Sequence, residues 1–365
     1  MIKDRLIKIR KRNLCQALVG LLLLVTSCSN EMRSSLEPVE SAFGQANSIV
    51  VIADKNVWEG PIGDTFQYYF EGAYPILPQP EPLFDLKHFT PEDLRAEPIR
   101  KRKRTYVILG DIDDIDSPTG QLLRTDLGDQ NVSRAAKEKS FNTTMGKNRW
   151  ATGQTVVYLF GSNEEELTKN IKEKFPAIAK RIHKADQQII RANAYTQGVA
   201  TKLSSDIKEA LGVDIQVPGD YFLAIHDENT IWLRAESDFL SSNIFLQKLP
   251  YKNKSQFTQE GIKAIRDSIG RKYVSTEIEK TYMRTNDVDL PMLTKVMTLN
   301  DNYAMEARGI WDIVNDYMGG PFLSYLIHNT STNELLFIDG FVHAPGKKKR
   351  NYMQHLEEVF STVKF

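Results

Sequence analysis

Cysteine is nearly missing from these 365 residues: there are two, Cys15 and Cys28, and none beyond position 28. Residues 29–365 can therefore form no disulfide with one another, and they hold no thiol for covalent catalysis, redox exchange or thiolate metal coordination. Stability must come from a packed core, and 41% hydrophobic with 10% aromatic residues are enough to build one. Histidine is sparse too. Its six copies, His88, His183, His226, His328, His343 and His355, never fall in the His-Glu-x-x-His spacing of a zinc hydrolase. Gly-x-Ser-x-Gly is absent, as is Gly-x-Gly-x-x-Gly, and Gly146-Lys147 lacks the upstream glycine of a phosphate-binding loop. No cofactor and no metal ligand set is expected. Positive charge is not in surplus either: residues 1–27 hold six Lys/Arg and one Asp, which leaves 41 basic against 46 acidic residues in the remainder. Binding to nucleic acid needs an excess of Lys/Arg on one face, so nucleic acid is not an expected partner.

Long apolar runs are also lacking. The longest, Ala17 to Val25, follows a basic leader with Lys3, Arg5, Lys8, Arg10, Lys11 and Arg12. It falls well short of the roughly 20 residues that span a bilayer, and reads as the core of a secretory signal peptide. Its end, Val25-Thr26-Ser27-Cys28, resembles the bacterial lipobox, which implies cleavage before Cys28 and acylation of its thiol. Two or three acyl chains anchor durably where one binds only reversibly. The expected organisation is a signal peptide over 1–27, a tether over 28–47 and two α+β halves over 48–200 and 201–365. The membrane is the partner expected through that lipid.

Strands are predicted at 49–53, 105–109 and 155–160, the last followed by a long amphipathic helix bearing Leu167, Ile171, Ile178, Ile182 and Ile189. A capping box at Ser162 and Glu165 would start that helix, and Pro176 would kink or divide it. Residues 74–98 hold six of the 15 prolines and read as a stiff loop, either a connector or a recognition strip. The run Arg100-Lys101-Arg102-Lys103-Arg104 has two readings: contact with anionic lipid headgroups, or a solvated strand entrance partly neutralised by carboxylates, the second favoured. After that strand come Asp111, Asp113, Asp114 and Asp116. They fail as an EF-hand, because Ile115 sits at a ligand position and Asp116 where glycine is required, which leaves a looser cation site or a solvated turn.

Further on, strands are predicted at 221–225, 231–235 and 244–249, with a helix at 258–269. The recurrence of strand, linker and amphipathic helix near 155–190 and 244–269 suggests a weak internal repeat. In the last third, strands are predicted at 295–299, 303–314, 322–328 and 335–342, and a helix at 348–363. Phe322, Leu326, Phe337 and Phe341 should share one face of the final hairpin, and Leu323, Ile327, Leu336 and Ile338 the other, so that both faces need a covering layer. Gly340 should lie opposite Leu323, where the helix can approach closely. A rival reading puts a site at His343 and Asp339.

Leu77-Pro78-Gln79-Pro80-Glu81-Pro82 with Phe84-Asp85, and Ala307-Arg308-Gly309-Ile310-Trp311 leading to Met318-Gly319-Gly320-Pro321-Phe322, together with the lipobox, resemble a cell-envelope lipoprotein family of the Bacteroidota built on a domain of unknown function. The resemblance implies an envelope lipoprotein and carries over no catalytic residue. The stretch Ser29-Asn30-Glu31-Met32-Arg33 holds a single acid, where surface-displayed lipoproteins look acidic, so the outer membrane's periplasmic side is favoured. The expectation is thus an α+β chain of mainly antiparallel sheets with packed helices, ferredoxin-like halves being one arrangement of it. It is expected to be non-catalytic and to bind an envelope protein or component, with a motif-free hydrolase or a small-ligand carrier as alternatives. No catalytic residue is assigned, and the lipidation site is Cys28.

Overall fold

The computed structural model describes residues 40–365, so the leader and Cys28 lie outside the described residues. The first sheet grows from apolar runs without polar alternation, the pattern of strands buried on both faces. In order come β1 (Ser48–Ile52), α1 (Lys55–Trp58), α2 (Pro61–Phe70), β2 (Asp85–Phe89), α3 (Pro91–Ala96), β3 (Thr105–Asp111), α4 (Pro118–Lys137), β4 (Thr143–Lys147), β5 (Thr155–Gly161) and α5 (Glu164–Ala194). The strands lie in the order β2-β1-β3-β5-β4, all neighbours parallel except β4 with β5. Val51, Val107 and Val157 pack with side chains of α2 and α5, while Ile52, Ile108 and Val156 pack under Leu94 and Leu123 of α3 and α4.

The rest of the chain supplies α6 (Thr201–Leu211), β6 (Phe222–Asp227), β7 (Thr230–Ser237), β8 (Leu240–Pro250), α7 (Gln259–Tyr273), β9 (Tyr282–Asn286), β10 (Leu293–Leu299), β11 (Asn302–Val314), β12 (Gly319–Asn329), β13 (Glu334–His343) and α8 (Arg350–Ser361). The strands form an eight-stranded antiparallel sheet in the order β10-β11-β12-β13-β8-β7-β6, with β9 on the far part of β11. Phe322, Leu326, Phe337 and Phe341 face α7 through Ile262 and Ile269. Leu323, Ile327, Leu336 and Ile338 face Met353, Leu356 and Phe360 of α8, as the apolar pattern predicts. Gly340 pairs with Leu323, and a Cβ there would stand 2.9 Å from both Leu356 and Phe360, so the helix uses the space that glycine leaves.

The architecture is α+β, but neither half is ferredoxin-like. Helical crossovers make the first sheet largely parallel, whereas short turns make the second a broad antiparallel one. The expected repeat fails for the same reason: β5 leads α5 onto a parallel sheet, and β8 leads α7 onto an antiparallel one. The proline-rich stretch is not all loop, because β2 pairs along β1, and Thr90 with Asp93 forms a reciprocal cap on α3. Helix α4 and strand β4 went unpredicted in a stretch of weak periodicity. Helix α5 is capped by Asn163, not Ser162, and runs unbroken through Pro176. Lys172, whose carbonyl loses its helical donor there, is exposed, so water can replace the bond. The expected tether is shorter than drawn: Ser41 already pairs with Thr152 and Phe43 with Lys103.

In the basic run at 100–104, two of the five cations have carboxylate partners. Arg100 pairs with Asp93 at 3.0 Å and Glu97 at 2.7 Å, and Arg102 with Glu40 at 3.2 Å. These are not the carboxylates at Asp111 to Asp116, which lie at the other end of β3.

Candidate functional site

Three concavities stand where ligands are usually found, and their chemistry separates them. The first lies beyond the carboxyl ends of β1 and β3, where the chain leaves the sheet toward opposite faces; open α/β sheets commonly bind ligands at such a switch point. It spans about 410 Å³ beside Asp54, Glu92, Asp114, Asp116 and Ser117, with Lys55 the single cation in its lining. A helix amino terminus there would attract an anion. Asp54 already occupies it: its carboxylate accepts the Thr119 N–H at 3.1 Å, the Thr119 hydroxyl at 2.7 Å and the Ser117 hydroxyl. A phosphate would meet that fixed charge and the carboxylates around it. The predicted acidic cluster folds back on its own backbone, Asp111 accepting from the Asp113 N–H at 2.8 Å and Asp114 from those of Asp116 and Ser117 at 3.1 Å. Among the described residues, no group of three or more His, Cys, Asp or Glu side chains is placed to hold a metal ion.

The second concavity, about 340 Å³, lies between the two sheets' covering helices, against α5, α8 and β11. Alternation along β11 puts Glu306 and Arg308 on one face, where Arg308 meets Glu306 at 2.7 Å and Glu357 of α8 at 2.5 Å. The Tyr74 hydroxyl donates to Glu357 at 2.5 Å. Burial, then the Glu357 charge, lifts the Tyr74 pKa well above that of a free phenol. Burial opposes the Arg308 charge, but Glu357 and Glu306 outweigh it and keep the guanidinium firmly protonated. Burial likewise opposes ionisation of Glu306, and Arg308 outweighs that, so its pKa is lowered. Nearby, Asp186 of α5 accepts the Asn47 N–H at 2.8 Å, and the Asn47 and Gln354 amides exchange two hydrogen bonds. Burial raises the Asp186 pKa despite that bond and despite Arg104 and His183. Glu306, Arg308, Glu357 and Tyr74 are bonded to one another, and Asn47 to Gln354 and Asp186, which is the signature of a structural seam. Perturbed pKa values mark such networks as readily as active sites.

The third concavity differs on each count. It spans about 480 Å³ and is open, formed where the ends of β9 and β11, the start of β12 and the end of β13 converge, with Pro78 and Gln79 of the proline-rich loop on one wall. Two glycines allow the convergence: a Cβ on Gly320 would stand 1.9 Å from the Val342 carbonyl oxygen, and one on Gly319 2.7 Å from that of Trp311. The β11–β12 turn has Asn315 in the left-handed region (φ 64°) and lifts Tyr317 fully into solvent. Trp311 forms the floor, buried edge-on against Phe341, its indole N–H without a protein partner. His343 donates its Nδ1–H to the Gly319 carbonyl at 3.1 Å, which leaves Nε2 as an acceptor.

The carboxylates here are only partly spent. Asp312 is held by Arg284 at 2.7 Å and Asn286 at 3.0 Å. Asp289 accepts only from the Asn286 amide at 2.7 Å, and Asp316 only from the Tyr317 N–H at 2.6 Å; neither has an ion pair among the described residues. No serine, threonine or cysteine lines the cleft, and a backbone carbonyl, not a carboxylate, orients His343. The set of aromatic faces, backbone and carboxylates, with the Lys349 ammonium bonded to the Lys347 carbonyl at 2.9 Å, suits recognition, and no serine, threonine or cysteine stands beside His343.

Of the residues singled out in sequence, His343 reaches this cleft and Asp339 does not. Asp339 is buried under α7, paired with Arg266 at 3.1 Å and accepting from Ser324 at 2.5 Å; the Arg266 guanidinium also lies 3.7 Å over the Phe322 ring. The proposed pairing of His343 with Asp339 as a site therefore fails: the two share a face of β13 but lie four residues, about 13 Å, apart, and Asp339 is spent in the core on Arg266 and Ser324. His328 stands at the β12–β13 turn and His343 at the hairpin's far end, as the register requires. Sequence reasoning missed Asp54, Tyr317 and Arg266. For Arg266 a signal existed: an Asp in a strand buried on both faces demands a cationic partner.

Residues 200–362 match the family model described as "Domain of unknown function (DUF4837)", and residues 42–195 the one described as "Domain of unknown function (DUF8532)". Comparison with curated proteins finds no match. Among solved structures, the chain is similar to the Ran-binding protein Mog1p of Saccharomyces cerevisiae at 12% identity, over 42% of this chain and 89% of that one, with a TM-score of 0.27. A point-mutant form of protein Mog1 gives 13% identity with the same coverage and TM-score. A likeness this slight bears on neither fold nor function.

Proposed function

We propose that this chain is a non-catalytic, lipid-anchored protein of the bacterial cell envelope that holds an envelope partner at the Trp311 cleft. The observation that carries the reading is the cleft itself: a tryptophan floor, two carboxylates without ion pairs and an exposed tyrosine at its lip. The seam beneath Arg308 is spent on internal pairs, and the crevice at Asp54 is closed by a carboxylate, so neither competes. Support for the anchor comes from the sequence alone: the basic leader, the short apolar run and Cys28 at its end. Support for the periplasmic side of the outer membrane comes from the single acid after Cys28.

Two measurements test the reading. Fatty-acid labelling in cells should mark the wild type and spare Cys28→Ala, whose product should leave the membrane or accumulate as precursor; label on Cys28→Ala overturns the anchor. The double variant Asp316→Lys, Tyr317→Ala should lose the envelope partner that co-purifies with the wild type by at least about tenfold, equivalent to roughly 1.4 kcal/mol. Its melting temperature should stay within about 2 °C, because both side chains are at the surface. Undiminished recovery of the same partner overturns the cleft as the binding surface.

A further inference from the structure

The five-stranded sheet is electrically polar from end to end. Four strands run parallel, so every residue that follows a strand lies at one end and every residue that precedes one lies at the other. The trailing end carries Asp54 after β1, Glu92 after β2, Asp111, Asp113, Asp114 and Asp116 at the end of β3, and Glu164, Glu165 and Glu166 in the first turn of α5, against two cations, Lys55 and Lys139, the second paired with Glu166 at 2.9 Å. The leading end carries Arg100, Lys101, Arg102, Lys103 and Arg104 before β3, and Lys147 and Arg149 where antiparallel β4 returns beside the start of β5. Asp93, Glu97, Glu40 and Asp126 pair with Arg100, Arg102 and Arg149 there, which leaves Lys101, Lys103, Arg104 and Lys147 without an ion pair among the described residues.

The chain joins the fold at that same basic end. The Glu40 carbonyl accepts the Thr152 N–H at 2.9 Å, and the Phe43 N–H donates to the Arg102 carbonyl at 2.8 Å. Phe43 is 40% exposed with the Lys103 ammonium 4.1 Å over its ring, and Ile99, 50% exposed, immediately precedes the basic run. Basic side chains with exposed apolar ones among them suit the boundary between lipid headgroups and water. From Cys28 to Glu40 the backbone can span at most about 40 Å, so an anchored Cys28 keeps the fold, attached at its basic end, within that reach of the bilayer.

We propose that the basic end, centred on Phe43, Ile99, Lys101 and Lys103, lies against anionic phospholipid headgroups, so that the acidic end points away from the membrane. The proposal rests on acylation at Cys28. Tether and sheet polarity then act together: the lipid keeps the fold close to the bilayer, and attraction of the basic end with repulsion of the acidic end from anionic headgroups selects the pose. The charge asymmetry follows from parallel strand order, which collects the residues preceding β3 and β5 at one end.

The test uses the acylated protein purified from host membranes and reconstituted on vesicles. Beyond Cys28 the chain has no cysteine, so single reporters are clean: Ile99→Cys at the basic end and Ile115→Cys, 62% exposed, at the acidic end. Each is labelled with a membrane-impermeant maleimide on vesicles of phosphatidylcholine with 30 mol% phosphatidylglycerol, a fraction on the order of an anionic leaflet's, and on phosphatidylcholine alone. Ile99→Cys should label at least about fivefold more slowly on the anionic vesicles, with Ile115→Cys unchanged, and added salt at about 0.5 M should remove the difference by screening. Adding Lys101→Glu and Lys147→Glu should remove it as well. Equal labelling of Ile99→Cys on both vesicles, or slower labelling of Ile115→Cys, overturns the proposal. Retention on vesicles is read separately by flotation, so a protein that floats yet labels equally refutes the orientation, while one that fails to float refutes the anchor.

Discussion

The two sheets solve the same packing problem and leave opposite surfaces behind. Both bury apolar strands between helices, Val107 and Val157 in one, Phe337 and Leu323 in the other. In the parallel sheet the place where a ligand would ordinarily sit is filled by the chain's own carboxylate, Asp54, bonded to Thr119 and Ser117 at the start of α4. In the antiparallel sheet two glycines draw three strands together around Trp311, and the resulting cleft leaves Asp289 and Asp316 without ion pairs among the described residues and the Tyr317 side chain exposed. Fold type alone would have pointed to the first. Local chemistry points to the second, because a site is made by unspent groups and not by topology.

Substitutions that break one sheet and spare the other sharpen this contrast. Phe337→Ala should cost roughly 3–5 kcal/mol, since the side chain is fully buried beneath α7, and an unshifted thermal melt would refute the packing account. Arg266→Ala should cost a similar amount, about 3–5 kcal/mol, by stranding Asp339 without its partner; the check is chemical denaturation, with Arg266→Lys recovering only part because it loses the planar fork. Gly340→Ala should cost about 1–3 kcal/mol, as the new methyl group meets Leu356 and Phe360.

Smaller and opposite in sign is Asp186→Asn. Burial raises the Asp186 pKa in the folded chain above its unfolded value of about 3.9, so folding favours the protonated form and the charge costs stability at neutral pH. An asparagine can still accept from the Asn47 N–H. The variant should therefore melt higher than wild type near pH 7, the gap closing as pH falls through the folded pKa and vanishing below about 4. A variant that melts lower at pH 7 would show that the Arg104 and His183 charges outweigh burial. Smallest of all, Tyr317→Ala should change stability by less than about 0.5 kcal/mol in an equilibrium denaturant titration, the side chain being wholly exposed.

How legible this was in sequence depended on whether a residue's role was local. The two faces of the β12–β13 hairpin, its covering helix and Gly340 could be read because alternation and helical period are short-range signals. The parallel arrangement of the first sheet could not, because β1, β3 and β5 show the same apolar runs whichever way they pair. Strand β2 was hidden by the surrounding prolines, and α4 by polar residues on most of its faces. The cleft escaped for a deeper reason: it joins positions 78, 286, 311, 317 and 343, which only the β11–β12–β13 register and the proline-rich loop bring together. Even so, Trp311 and Gly319-Gly320 lay within the stretches that carried the family resemblance. Asp339 misled, since it shares a strand face with His343; only the structure shows it four residues down the strand and already paired with Arg266.

The most direct test of the central claim compares the two sheets' mouths in living cells. A photo-crosslinking residue is placed at Tyr317, on the lip of the open cleft, and separately at Ile115, above the crevice that Asp54 closes. The account predicts a discrete higher-mass adduct from position 317 that disappears when Asp316→Lys is added, and none from position 115. An adduct from position 115, with none from position 317, would contradict it.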